Sequence, residues 1–202
     1  TIEYTQDASN HIVRYCTVKA VNTSQTSGVI AIGLTSVVGG TGNDNITLAN
    51  NDLSGGAGGS VANIVYMSGQ SSPRDNSNIV VSNNNIFDFT NTAPFGVKVN
   101  GNNTGVTISG NSFYQTAPIT TNSIAIGPLS STSNSNVVIS GNFIGGSGPN
   151  CSGTWSTTNQ FIGIQIQGIA TVPTTQISNN TIRNIQTTGV GSQFQGMVIQ
   201  SG

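Results

Sequence analysis

One eight-residue pattern returns six times along this chain, and that repetition constrains the fold more than any other feature. The copies begin at residues 11, 46, 79, 106, 137 and 175 and read HIVRYCTV, ITLANNDL, IVVSNNNI, VTISGNSF, VVISGNFI and TQISNNTI. Their third and eighth positions are always apolar, and consecutive copies start 27 to 38 residues apart. Self-similarity at such a period is typical of a solenoid, in which each repeat buries its apolar face against its neighbours.

A second strand-like segment, flanked by glycine or another small residue, follows each copy. These segments are GVIAIG (28–33), ANIVYMSG (62–69), GVKVNG (96–101), SIAIG (123–127), GIQIQG (163–168) and GMVIQSG (196–202). Apolar residues alternate within them, as in a strand with one buried face, and no stretch has the 3.6-residue period of a helix. The sequence therefore predicts an all-β chain whose repeat is strand, corner, strand and loop.

The fifth and sixth positions of the pattern predict a corner and a ladder. The fifth position is mostly Asn or Gly, which tolerate a left-handed backbone, so we expect each coil to bend there. The sixth position is Cys16 in the first copy and asparagine in the others: Asn51, Asn84, Asn111, Asn142 and Asn180. Identical asparagines stacked about 4.8 Å apart can hydrogen-bond along their column. A buried structural ladder is favoured over an exposed row that binds sugar.

This repeat resembles the right-handed parallel β-helix of the pectate-lyase-like superfamily over the whole chain. The resemblance implies an all-β, right-handed parallel β-helix of about six coils. The composition is similar to that of β-helical segments in large secreted surface proteins of gliding bacteria, exported by the type IX route, which implies an extracellular or cell-surface location. We expect residues 1–202 to form a single β-helix segment cut from a longer solenoid, because both ends fall at the same phase of the repeat.

The low charge of the chain excludes some classes of partner. Only 5% of the residues are charged, with five Lys or Arg, six Asp or Glu and a net charge of −1. A nucleic-acid partner is not expected, because the scattered basic residues cannot form a footprint on phosphates. No apolar run approaches the length of a membrane span. Cys16 and Cys151 fall in different coils, too far apart for a disulfide with each other.

The acidic residues are the candidates for catalysis or metal binding. Enzymes of the resembled superfamily place aspartates around calcium beside a basic residue, or pair carboxylates. Here Asp7 and Asp75 share a column ahead of the pattern and Asp44 lies close to it, a loose trio that could hold weakly bound Ca²⁺ together with loop carbonyls. Asp52 and Asp88 fall in different columns and in turns. Because no acidic pair has a basic residue in register, we predict no catalytic residue and no other cofactor.

The longest loop, residues 145–160, is the candidate for ligand binding. It carries the only tryptophan, Trp155, and a polar amide at Asn159. Loops held on a rigid scaffold often carry binding sites. The alternative is that Trp155 folds back to cover its own coil.

Together these features predict a non-catalytic structural or adhesive module of an extracellular bacterial surface protein. Its expected partners are carbohydrate, a host surface or another cell. One alternative is part of a polysaccharide lyase or hydrolase whose catalytic coils lie outside this segment. Another is a fibre subunit that associates head to tail, because terminal coils expose unpaired strand edges.

Overall fold

The computed structural model describes residues 1–33, 35, 36, 38–55, 60–130, 134–167 and 175–200. Each strand in these ranges pairs in parallel with the equivalent strand of the neighbouring repeat. The sheets run along one axis, and the chain passes from one sheet to the next within every coil. The chain is therefore a parallel β-helix, which confirms the predicted fold class.

Positions two to four of the repeated pattern form the first sheet. Its described strands are, in spatial order, Ile12–Arg14, Thr47–Ala49, Val80–Ser82, Thr107–Ser109, Val138–Ser140 and Gln176–Ser178. The third position of the pattern is aligned through the sheet, so that Ile108 faces Val81 on one side and Ile139 on the other. This alignment explains why the position is apolar in every copy.

The end of the pattern forms the second sheet. Its described strands are Thr17–Ala20, Asp52–Gly55, Asn85–Phe87, Ser112–Tyr114, Phe143–Ile144 and Thr181–Ile182. A single residue with a left-handed backbone separates the first sheet from the second in each coil. These residues are Tyr15, Asn50, Asn83, Gly110, Gly141 and Asn179, with φ between 54° and 64°. The predicted corner at the fifth position is confirmed.

The glycine-flanked segments form the third and longest sheet. Its described strands are Ile2–Tyr4, Ile30–Ile32, Asn63–Met67, Phe95–Val99, Ser123–Ser130, Phe161–Gln167 and Phe194–Gln200. The predicted second strands are thereby confirmed within the described ranges. Residue 168 and residues 201–202, which end two of the predicted segments, lie outside those ranges.

Smaller elements complete the coils. A short fourth sheet contains Asn76–Ser77, Asn103–Thr104 and Asn134–Ser135, and a fifth pairs Trp155–Thr157 with Ile185–Thr187. The residue just before each of the first five patterns is a second left-handed corner, at Asn10, Asn45, Asn78, Gly105 and Asn136. Helix within the described part of the chain is one 3₁₀ turn, Pro149–Cys151.

The core lies between the sheets and continues along the axis. Positions one, three and eight of the pattern are completely buried in the four middle coils, where Leu48, Ile86 and Phe113 are examples. Burying an aliphatic or aromatic side chain of this size stabilises a protein by about 1.5–3 kcal/mol. Positions three and eight are only partly buried in the first and last coils, at Val13, Val18, Ile177 and Ile182. The core is therefore least complete at the two ends.

Candidate functional site

The asparagines at position six form a continuous ladder inside the solenoid. The Nδ2 atoms of Asn51, Asn84, Asn111 and Asn142 each donate to the Oδ1 atom of the next asparagine, over 2.9–3.0 Å. The backbone N–H of each donates to the same oxygen. Because Asn111 is completely buried, this column is a structural ladder rather than a surface for sugar. The predicted ladder is confirmed.

The first coil continues the ladder without an asparagine. At the first coil, the backbone N–H of Cys16 donates to the Oδ1 atom of Asn51 over 3.0 Å, while the thiol donates to the backbone oxygen of Arg14. Cys16 therefore keeps the backbone half of the pattern and lacks an amide. Unlike the asparagines of the middle coils, Cys16 is exposed.

A second buried ladder was not predicted from the sequence. It lies three residues before the second to fifth patterns and joins Asn43, Asn76, Asn103 and Asn134, with Nδ2 to Oδ1 distances of 2.9–3.0 Å. Its first oxygen accepts the backbone N–H of Ala8. The constant offset of these asparagines from the pattern was the signal that could have revealed them. In so asparagine-rich a chain, one further column is difficult to recognise.

The predicted calcium trio lies along one side of the solenoid, and each member is already hydrogen-bonded. The Oδ1 atom of Asp7 accepts the backbone N–H groups of Thr41 and Gly42 over 3.0 and 2.8 Å. Asp44 accepts the hydroxyl of Ser77 over 2.6 Å, and its backbone N–H donates to the carbonyl of Ala8. The trio is therefore held by the surrounding coils.

The third member, Asp75, is also hydrogen-bonded to the next coil. Its Oδ2 atom accepts the Thr104 hydroxyl over 2.8 Å. Within the described ranges, no group of three or more His, Cys, Asp or Glu side chains is arranged to hold a metal ion. A calcium site at this place would need backbone carbonyls as most of its ligands, and it stays a prediction.

All five aspartates bond forward to the next coil. Besides the trio, Asp52 accepts the Nδ2 group of Asn85 over 2.7 Å. Asp88 accepts both the backbone N–H and the hydroxyl of Thr116, over 2.8 and 2.9 Å. Each carboxylate thus joins its own coil to residues 28 to 35 positions later in the sequence, for example from Asp7 to Gly42 (35) or from Asp88 to Thr116 (28). Sequence reasoning did not detect this, because only Asp7 and Asp75 share a column and the other aspartates fall elsewhere in their coils.

One tyrosine lies close to two of these carboxylates. Asp52 begins the strand Asp52–Gly55, so the prediction that it lies in a turn is wrong, whereas Asp88 does follow a strand in a left-handed turn. Burial and the negative charges of both aspartates raise the pKa of Tyr114 to about 12. Its ring stacks on Phe87, with centroids 4.8 Å apart. A phenol with this pKa stays protonated at neutral pH, so it does not serve as a general base there.

The structure places Trp155 in the core. Its ring is completely buried and meets Phe89 and Phe161 edge to face, at centroid distances of 5.6 and 5.0 Å. This arrangement corresponds to the alternative in which the tryptophan covers its own coil. The buried indole presents no face on which a sugar ring could stack.

The other residues of loop 145–160 are held by neighbouring coils. Asn159, predicted with Trp155 to contact a ligand, is half-buried and donates its Nδ2 group to the Thr120 carbonyl. Asn184 of the next coil donates its Nδ2 group to the Cys151 carbonyl over 2.7 Å. Cys151 is a buried free thiol whose pKa is raised by burial, and Cys16 is also free, so the two do not pair. Loop 145–160 is therefore held in place along the side of the solenoid, and we call it a lateral ridge.

A half-buried lysine on the third sheet, Lys98, also holds a loop. The Nζ atom of Lys98 donates to the Gln25 carbonyl over 2.9 Å and lies 5.1 Å from the centre of the Phe95 ring. Burial lowers the pKa of this lysine. The same loop is held by Asn63, whose Nδ2 group donates to the Ser27 carbonyl.

Comparisons with known protein families, with curated proteins and with solved structures find no match for this chain. Among the described residues, none belongs to a helix with the length and hydropathy needed to cross a membrane. The chain's assignment as a parallel β-helix therefore depends on its own strand pairing and ladders.

Proposed function

We propose that this chain is a non-catalytic structural module of a large extracellular surface protein. In this proposal a stiff β-helical rod presents fixed lateral ridges, chiefly residues 145–160, to carbohydrate or to the surface of another cell. The proposed relation to secreted surface proteins of gliding bacteria is supported by composition, since only 5% of the residues are charged and solubility depends on hydroxyl and amide groups.

The hydrogen bonds that the aspartates accept from neighbouring coils are the observation that supports a non-catalytic role. Acid–base chemistry on a polysaccharide requires carboxyl groups that face the substrate, with two of them about 5–9.5 Å apart in glycoside hydrolysis. In this chain each aspartate accepts hydrogen bonds from the next coil. Such carboxylates stabilise the stack of coils, as expected for a rod and not for a catalytic groove.

Thermal unfolding of aspartate variants tests the structural part of the proposal. Asp44→Ala removes the acceptor of both the backbone N–H and the hydroxyl of Ser77, so we expect a loss of about 1–3 kcal/mol in unfolding free energy. Glu3→Ala is the matched control, because Glu3 is an exposed acidic residue on the third sheet. The same measurement with and without Ca²⁺ tests the predicted calcium site, since a bound ion would raise the melting temperature.

A polysaccharide panel tests the non-catalytic part. Wild-type protein incubated with pectin, alginate and neutral polysaccharides, with and without Ca²⁺, is expected to release neither unsaturated products nor reducing ends. The proposal fails if the wild type releases product and Asp44→Ala loses that activity while keeping its melting temperature. Binding of the folded protein to the same polysaccharides, measured by affinity electrophoresis, separates an adhesive role from a purely structural one.

A further inference from the structure

Tyr15 occupies a backbone position that is unfavourable for a bulky side chain. It is the left-handed corner between the first and second sheets, with φ of 56°. In the other copies of the pattern this position is Asn or Gly, which adopt a left-handed backbone at little cost. Residues held in such a conformation against their preference are concentrated at functional sites. The corner itself therefore does not explain why this residue is a tyrosine.

The side chain of Tyr15 projects from the side of the solenoid into solvent. It is 76% exposed. Its counterparts Asn50 and Asn83 are also exposed, although each of them has a coil on both sides. The exposure is therefore a property of the corner column and does not depend on Tyr15 being in the first coil. An exposed tyrosine offers an aromatic ring and a hydroxyl group to another molecule.

Arg14, the residue before Tyr15, is the one charged residue among positions two to five of all six copies of the pattern. It is exposed and ends the strand Ile12–Arg14. Side chains alternate between the two faces of a strand, and the third position of the pattern faces the core, so Arg14 lies on the outer face. A guanidinium group binds a carboxylate through two parallel hydrogen bonds. The first coil thus presents a cation next to an aromatic ring.

A strip of short, uncharged residues continues from Arg14 and Tyr15 along the axis, and we call it the outer strip. In the next four coils, position four is alanine and then serine three times, and position five is asparagine twice and then glycine twice. The strands keep one register from the first coil to the fifth, so both columns are continuous. At Gly141 a Cβ atom would meet no heavy atom closer than 3.9 Å outside its chain neighbours, so the surface there is open. Four steps of about 4.8 Å give a length of about 19 Å.

The single positive charge limits which sugars this surface can bind. The amides of Asn50 and Asn83 and the serine hydroxyls match the hydroxyl groups of neutral sugars. Asp44 and Asp52 lie before and after the strand Thr47–Ala49 of the second coil. A polymer with a carboxylate on every sugar would bring further negative charge towards these aspartates, and the outer strip has no cation beyond Arg14 to offset it. An oligosaccharide with one acidic sugar avoids this repulsion.

We propose that Arg14, Tyr15 and the outer strip bind a neutral glycan that ends in a single acidic sugar. The guanidinium group of Arg14 binds the carboxylate, the ring of Tyr15 packs on the sugar that carries it, and the neutral sugars follow the strip towards Gly141. This role depends on the carbohydrate partner in the proposed function and assigns to it a surface and a sugar class. The surface is separate from the ridge at 145–160, whose tryptophan is buried.

Sialyllactose and lactose test the proposal, because they share a neutral disaccharide and differ by one acidic sugar. In ligand-detected NMR titrations of the whole chain, the dissociation constant of sialyllactose should be at least about tenfold below that of lactose. Trigalacturonate, which has a carboxylate on every sugar, should bind no better than lactose. The proposal is overturned if the wild type does not bind sialyllactose, or if it binds trigalacturonate as tightly.

Two substitutions introduce the residues that later coils have at the same positions. Arg14→Ser should bind sialyllactose as weakly as the wild type binds lactose. Its control, Lys19→Ser, removes an exposed lysine from the second sheet of the same coil and should leave binding unchanged. Tyr15→Asn should weaken sialyllactose binding at least about tenfold, whereas Tyr15→Phe keeps the ring and should retain most of it.

Thermal unfolding of Tyr15→Asn shows whether the tyrosine has a structural role instead. Because asparagine adopts a left-handed backbone more readily, this variant should unfold at the wild-type temperature or above it. A clear fall in its melting temperature would mean that Tyr15 stabilises the fold, and the proposal would be overturned. If the wild type and the folded Tyr15→Asn bind the polysaccharide panel and sialyllactose equally, the outer strip is not the site, although the adhesive role itself would stand.

Discussion

The buried amide ladder makes the replacement of Asn111 by leucine the most informative single change. The Oδ1 atom of Asn111 accepts two hydrogen bonds from Asn84, at 2.9 and 3.0 Å, and its Nδ2 group donates to the Val81 carbonyl over 2.9 Å. Leucine is close to asparagine in size but supplies neither an acceptor nor a donor. Three polar groups of the preceding coil would lose these partners in a part of the core with no access to water.

The expected loss follows from these three groups. Each unsatisfied buried group costs about 1–3 kcal/mol, so the low end of the sum is about 3 kcal/mol. In a domain of this size, 1 kcal/mol lowers the melting temperature by about 2–4 °C, which gives a fall of at least about 6–12 °C. Thermal unfolding followed by circular dichroism measures it directly. The backbone N–H of Asn111 still bonds to Asn142, but the Nδ2 bond to the same oxygen is lost, so the side-chain ladder is interrupted on both sides of Asn111.

The matched control for Asn111→Leu is Thr107→Leu in the same coil. Thr107 lies on the outward side of the first sheet and is half-buried, so the added bulk there interrupts no ladder. We expect the control to unfold within about 2 °C of the wild type, since surface substitutions usually change stability by less than about 0.5 kcal/mol. Equal melting temperatures for the two variants would refute the reasoning that the ladder stabilises the fold.

Three further predictions test other parts of the structure. Asn76→Leu should lower the melting temperature as much as Asn111→Leu, because Asn76 is a buried middle member of the second ladder; a smaller loss than that of a surface variant would contradict that ladder. The pKa of Tyr114 is raised to about 12, so the folded state holds the phenol proton more tightly than the unfolded state does. The free energy of unfolding should therefore fall as the pH rises from about 10 towards 12. Urea unfolding at several pH values should show that Tyr114→Phe lacks the part of this pH dependence that Tyr114 contributes. Trp155 should fluoresce at short wavelength and resist quenching by acrylamide, whereas strong quenching in the native state would place it at the surface.

The sequence predicted those features that recur at the same position in every coil. The apolar third and eighth positions, the left-handed fifth position and the ladder of Asn111 all follow from stacking, because identical residues in one column face each other across every interface. The periodicity was sufficient to predict these features because each repeat contacts only its neighbours.

The sequence did not predict the features that differ from coil to coil. Asp52 and Asp88 bond to different partners in different columns, so no repeated spacing indicated that the aspartates join consecutive coils. Trp155 stood in a long glycine-rich loop, and only the positions of Phe89 and Phe161 show that its ring enters the core. Contacts of this kind depend on how each loop folds over its own coil.

The two ladders also give the solenoid a dipole along its axis. In both, each amide before the last member donates from Nδ2 to the following coil and accepts at Oδ1 from the preceding one, as Asn43 does towards Asn76 and Asn51 towards Asn84. Aligned amide dipoles add, as peptide dipoles do along an α-helix, and chains of hydrogen bonds polarise one another. The side-chain amides therefore contribute a positive pole at the coil of Asn180 and a negative pole at that of Cys16. A rod with a net charge of only −1 thus has two electrostatically different ends.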